Sequence, residues 1–129
     1  MAENDHRQTS LINTATELIT VRFKADYHEI GAALITSSGQ VFCAVHLETT
    51  VGRIAVCAEA VAIGMAATAG DTEIEMIVAV NKFGQVVSPC GMCRELIADY
   101  APDAKVIVPG ETEPILVAIS DLLPNKYHR

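Results

Sequence analysis

Residues 74–100 read IEMIVAVNKFGQVVSPCGMCRELIADY, and the two ends of this stretch carry the architecture. Ile74 to Val80 is a near-continuous apolar run, the pattern of a strand buried on both faces. Gly91 to Tyr100 has helical character and is followed by Pro102, which cannot continue a helix. A strand buried on both faces needs a covering layer on each side, and one helix supplies only one of them.

Upstream, Cys57 to Ala69 is Ala-rich and stops at Gly70, which predicts a second helix with a glycine terminator. Glu29 to Thr36 and Gln40 to Leu47 read as strands joined by Ser37-Ser38-Gly39, a hairpin signal. Leu11, Ile12, Ala15, Leu18 and Ile19 have helical spacing, with Thr9 or Ser10 placed to cap the start. Downstream, Lys105 to Val108 and Ile115 to Ala118 are short strands, and Ser120 to Leu123 is a last helical turn before Pro124. The predicted order is helix, strand, strand, helix, strand, helix, strand, strand. A hairpin followed by strand–helix alternation predicts a mixed sheet between helices, a three-layer α/β/α sandwich. With no repeat, low-complexity tract or linker in the sequence, residues 1–129 are expected to form a single domain.

The 129 residues are 50% hydrophobic and 19% charged, a composition that supports a packed core rather than disorder. A net charge of −7 argues against a nucleic-acid polymer as partner, because phosphates demand a basic face. Three Phe, three Tyr and no Trp leave few platforms for stacking exposed bases. No apolar run is long enough to span a bilayer, and no basic amphipathic stretch favours a membrane surface. Met1 to Thr9 lacks a signal-peptide core, so a cytoplasmic location with reduced thiols is expected. The expected ligand is a small molecule. The helix from Cys57 is apolar all round, which predicts that part of it packs against another subunit.

The four cysteines then point to metal or catalysis rather than to two disulfides. Cys90 and Cys93 lie one helical turn apart at a helix start, so both sulfurs can reach one ion. Cys57, at the start of the other helix, is the natural third ligand. Cys43 sits inside a predicted strand and reads as a small buried hydrophobe. Three protein ligands leave a fourth zinc position open for water, the arrangement of a catalytic site. Three thiolates leave the ion with a net formal charge of −1, which makes its water a poorer acid. The two helix N-termini and Arg94, beside Cys93, are expected to offset that charge. Glu59, two residues after Cys57, falls near the open position without being a ligand. It is the expected general acid and base. An acid that only decorates a helix N-terminus is the plainer reading of Glu59; the surrounding cysteines weigh against it.

Cys57-Ala58-Glu59 followed by Pro89-Cys90-Gly91-Met92-Cys93 matches the signature of zinc-dependent base deaminases. On these residues, together with Asp26-Tyr27, Ala32-Ala33-Leu34, Ser88, Arg94 and Leu122-Leu123-Pro124, the chain resembles the zinc-dependent cytidine deaminase family. The resemblance implies a five-stranded sheet with helices on both faces, bound zinc, a homotetramer (or homodimer), and hydrolytic release of ammonia from a cytosine-like base. It implies substrate contacts at Glu48, His46, Tyr27, His28 and Ala58. The family's ribose-gripping Asn-x-Glu stands here as His46-Leu47-Glu48. A pocket Phe is replaced by His28, and the Arg that follows Cys-Ala-Glu is Ala60. These departures widen the expected substrates from cytidine and deoxycytidine to nucleoside analogues such as blasticidin S. Two alternatives stand beside that reading: a non-nucleoside aminated heterocycle such as guanine, and a noncatalytic zinc-stabilised oligomerisation module.

Overall fold

The computed structural model describes residues 2–129, with side chains described from His6 onward. Helix α1 (Ala2–Arg22) leads into strands β1 (Ile30–Thr36) and β2 (Val41–Val45), then α2 (Ala58–Thr68) and β3 (Ile74–Asn81). Strand β4 (Val86–Val87), helix α3 (Gly91–Tyr100), β5 (Lys105–Val108) and β6 (Ile115–Ala118) follow. The sheet runs β2-β1-β3-β5-β6, with β4 paired to the end of β3. Among the described residues only β3 and β5 pair in parallel and the other strand pairings are antiparallel, so the sheet is mixed as expected.

The pleat divides the core between the two faces. Ala33, Met76, Val78, Val80 and Ile107 meet Leu11, Ala15 and Ile19 of α1. Leu34, Ala44, Ile77 and Val106 turn the other way, onto Ala62, Ile63 and Ala66 of α2 and Ile97 of α3. The result is the three-layer α/β/α sandwich, with α1 alone on one side. Burying each of the larger of these side chains contributes about 1.5–3 kcal/mol. Gly31 marks the closest approach of the layers: a Cβ there would lie 2.7 Å from the Ala15 carbonyl oxygen and 3.0 Å from Ile19 Cβ.

Three differences from the sequence expectations have physical causes. First, α1 is not capped at Thr9 or Ser10; both lie inside the helix, and Thr14 donates back to the Ser10 carbonyl. The polar first turns show no apolar period to read, and Arg7 within them pairs with Glu75 of β3. Second, the sheet has six strands among the described residues, because Val86 and Val87 fold back on β3. Gly84, at φ 77°, makes that reversal. Third, a 3₁₀ turn at Gly52–Ile54 precedes α2, and the final turn is 3₁₀ at Ile119–Leu122, one residue earlier than expected.

Helix α2 ends as read. Gly70 adopts φ 75°, with its N–H on the Ala67 carbonyl and the Asp71 N–H on the Ala66 carbonyl. This is the paired-bond terminator that favours glycine. Asp71 then accepts hydrogen bonds from Thr36 Oγ1 and Ser38 Oγ, both 2.7 Å, and from Gln40 Nε2 at 2.8 Å. These bonds tie the β1–β2 turn to the end of α2.

Candidate metal centre

Cys57 and Cys90 occupy the N-cap positions of α2 and α3, in extended backbone just before each helix. Cys93 lies in the first turn of α3 and is buried. Because β3 runs between the two helices, it brings together cysteines 33 residues apart: Cys57 Sγ lies 3.5 Å from Cys90 Sγ. All three sulfurs fall within 4.8 Å of one another. Thiolates held at ~2.3 Å from a tetrahedral ion sit roughly 3.8 Å apart, so the spacing fits zinc.

The electrostatics ask for a cation. Burial pushes the Cys57 thiol up, and the neighbouring Cys90 adds to it. Burial raises Cys93 further, helped by the charges of Glu59, Cys57 and Cys90. Cys90 alone is lowered, because backbone N–H groups of Cys93 and Met92 and the Cys57 side chain outweigh its burial. Three crowded sulfurs with no basic side chain bonded to them ionise together only around a positive ion, and soft thiolates suit zinc. Cys43 faces the α1 side of the sheet, away from this cluster.

Glu59 is buried, at 6% exposure, in the first turn of α2. Burial holds its carboxyl above the ordinary range, against its own backbone N–H and the Cys93 thiol, which lower it. Ala58 is wholly buried in a small cluster with Ala32 and Ala79. Arg94 does not turn to a sulfur. Its Nε donates to the Pro89 carbonyl at 2.9 Å and its Nη1 to the Leu122 carbonyl at 3.2 Å.

Tyr27, His28, His46 and Glu48 gather in one corner, where the end of β2 meets the turn before β1. The Glu48 N–H donates to the Tyr27 carbonyl at 3.0 Å. His28 Nδ1 donates to the His46 carbonyl at 2.9 Å. His46 Nδ1 accepts the N–H groups of Glu29 at 2.8 Å and Ile30 at 3.3 Å. Neutral His46 therefore carries its proton on Nε2, which lies 3.8 Å from Glu48 Oε2. A two-way bridge between Leu47 and Val56 sets this corner beside Cys57. Of the five residues expected to touch substrate, Ala58 is the one with no exposed surface.

Sequence reasoning missed the partners of the chain's end. Lys126 Nζ lies 2.8 Å from Asp99 and 3.4 Å from Glu95, both on α3. The readable signal was Glu95 and Asp99 themselves, two acids four apart on one helix face with no cation between them.

A family model described as the cytidine and deoxycytidylate deaminase zinc-binding region matches residues 5–109. The chain is 44% identical to blasticidin-S deaminase of Bacillus cereus over 127 residues, covering 92% of this chain and 91% of that protein. It is 32% identical to cytidine deaminase of Halalkalibacterium halodurans over 103 residues, covering 77% and 76% of the two chains. The crystal structure of cytidine deaminase from Burkholderia pseudomallei superposes with a TM-score of 0.78 at 26% identity, covering 92% of this chain and 98% of that one. With that coverage and the three-cysteine cluster in place, the chain belongs to the cytidine and deoxycytidylate deaminase zinc-binding family, the zinc-dependent hydrolytic deaminases.

Proposed function

We propose that this enzyme hydrolyses the exocyclic amino group of a cytosine-like base, taking cytidine, deoxycytidine or an analogue such as blasticidin S, and releases ammonia. The observation that carries the reading is Glu59, a buried carboxylate two residues from one thiol and beside another, Cys93. Cys57, Cys90 and Cys93 would hold zinc, which would supply the Lewis acidity that makes water a nucleophile near neutral pH. Glu59 takes the proton from the attacking water and passes it to the ring nitrogen beside the amino-bearing carbon. It then takes the remaining proton from the hydroxyl added to that carbon and hands it to the amino group, which leaves as ammonia as the carbonyl forms. Burial supports this double duty, since a carboxyl held above its usual range is a stronger base for taking the first proton and is brought closer to the neutral pH at which it must also pass that proton on.

Substrate recognition is assigned to the Tyr27, His28, His46 and Glu48 corner. The 44% identity to the Bacillus cereus blasticidin-S deaminase, with His46 where cytidine deaminases have Asn, favours an analogue over plain cytidine. The enzyme is read as a cytoplasmic homotetramer. Gly64, Met65 and Ala67 of α2 are exposed, as are Leu47, Val51 and Ile54 beside the site, and an apolar surface of this kind suits a subunit contact. No helix among the described residues is long and apolar enough to cross a membrane.

The deciding experiment is ammonia release by the zinc-loaded protein with cytidine, deoxycytidine, blasticidin S and guanine in parallel. Turnover of blasticidin S above the two natural nucleosides supports the reading. Turnover of guanine alone overturns it.

A further inference from the structure

Chain segment 119–126 lies along α3, and three side chains of that helix hold it. Ile119 is buried and its N–H donates to the Ala104 carbonyl at 2.9 Å, which anchors the segment's start. Arg94 bonds the Leu122 carbonyl at 3.2 Å, and further on Lys126 bridges Asp99 at 2.8 Å and Glu95 at 3.4 Å. Arg94 also bonds the Pro89 carbonyl at 2.9 Å, and Pro89 is buried. That carbonyl shares a rigid peptide plane with the nitrogen of Cys90, so fixing its oxygen fixes the plane from which Cys90 projects. The guanidinium is itself a planar fork. Its orientation at Pro89 is therefore set partly by where Leu122 holds its other arm.

We propose that Arg94 is a positioning residue that orients Cys90 for the metal, and that Lys126 acts with it by latching the C-terminal segment on which Arg94 leans. The assignment rests on the reading of Cys57, Cys90 and Cys93 as the zinc site. The C-terminal segment is thereby a buckle on the metal site. Because such coupling is reciprocal, an ordered metal site also steadies the segment. Outer groups that orient metal ligands typically contribute ten- to a hundredfold in affinity.

The test uses the full zinc-loaded chain and reads zinc release into an excess of a colorimetric chelator. Arg94→Ala is expected to speed release about tenfold. Lys126→Met should speed it about threefold, as befits a solvent-screened pair, and Lys126→Arg should restore the wild-type rate. The double variant Arg94→Ala/Lys126→Met should release no faster than Arg94→Ala alone, since the latch acts only through the arginine. In hydrogen exchange, zinc should slow the amides of Leu123, Asn125 and Lys126 in the wild type and not in Arg94→Ala, a readout that loss of stability alone would not produce. If Arg94→Ala does not fold, Lys126→Met and its arginine rescue decide the matter. Unchanged release in Lys126→Met, or penalties that multiply in the double variant, would overturn the buckle. A wild type that holds no zinc would instead bring down the metal reading on which it stands.

Discussion

Glu59→Gln separates catalysis from architecture at a single atom. The amide has the size of the carboxyl, so the buried volume beside Cys93 is unchanged. It holds no exchangeable charge, so neither proton transfer can be made. General acid–base catalysis by one positioned group is typically worth 10²–10⁴-fold. In the proposed mechanism one carboxylate serves both transfers, and at 6% exposure little solvent reaches it to substitute. The upper end applies: kcat should fall about 10⁴-fold, or about 5.4 kcal/mol of barrier. Stability should move the other way or not at all, because the wild-type carboxylate is desolvated and the amide has no charge to desolvate. The assay is steady-state ammonia release beside thermal melting and metal analysis on the same preparation. A kcat within tenfold of wild type at unchanged zinc content would refute the role given to Glu59. A loss of activity that tracks a loss of zinc would place the carboxylate in the ligand set instead.

Other outcomes follow from the layers around the site. Gly31→Ala puts a Cβ 2.7 Å from the Ala15 carbonyl, a backbone atom that yields little, so a cost of about 1–3 kcal/mol is expected in urea denaturation with an unchanged m-value. Asp71 is held below its ordinary carboxyl value by Thr36, Ser38 and Gln40. A lowered carboxyl stabilises the fold above its unfolded value, near 3.8, and that contribution disappears as pH falls through the lower folded value. Wild type should therefore melt above Asp71→Asn at pH 6, with the gap closing toward pH 3; a constant gap would refute the link. His46→Asn restores the Asn-x-Glu pattern, and the ratio of kcat/KM for cytidine over blasticidin S should rise; an unchanged ratio removes His46 from substrate selection.

Much of this protein was legible along the chain because its signals are local. The run from Ile74, the Ala-rich helix stopped by Gly70 and the helix from Gly91 each have a period or a terminator contained within one element, and the structure places all three there. The metal cluster was legible for the same reason: Cys90 and Cys93 are spaced for one helical turn, and Cys57 opens the other helix. The first turns of α1 and the two-residue β4 carry no such period. They exist because Arg7 reaches Glu75 and because Val86 and Val87 find the open end of β3. Side-chain direction was out of reach for a related reason. Arg94 stands beside a ligand in sequence, yet the fold offers it two carbonyls, one of them 28 residues away, and it takes those rather than a sulfur. Which nitrogen of His46 is bonded depends on the register that brings it against Glu29 and Ile30. Sequence alone determined the types of the longer elements and pointed to the three thiols that the fold gathers, because periodicity and spacing report on single turns. The tertiary structure decided what each polar side chain touches, because hydrogen bonds select partners by position in space and those partners lie tens of residues apart along the chain.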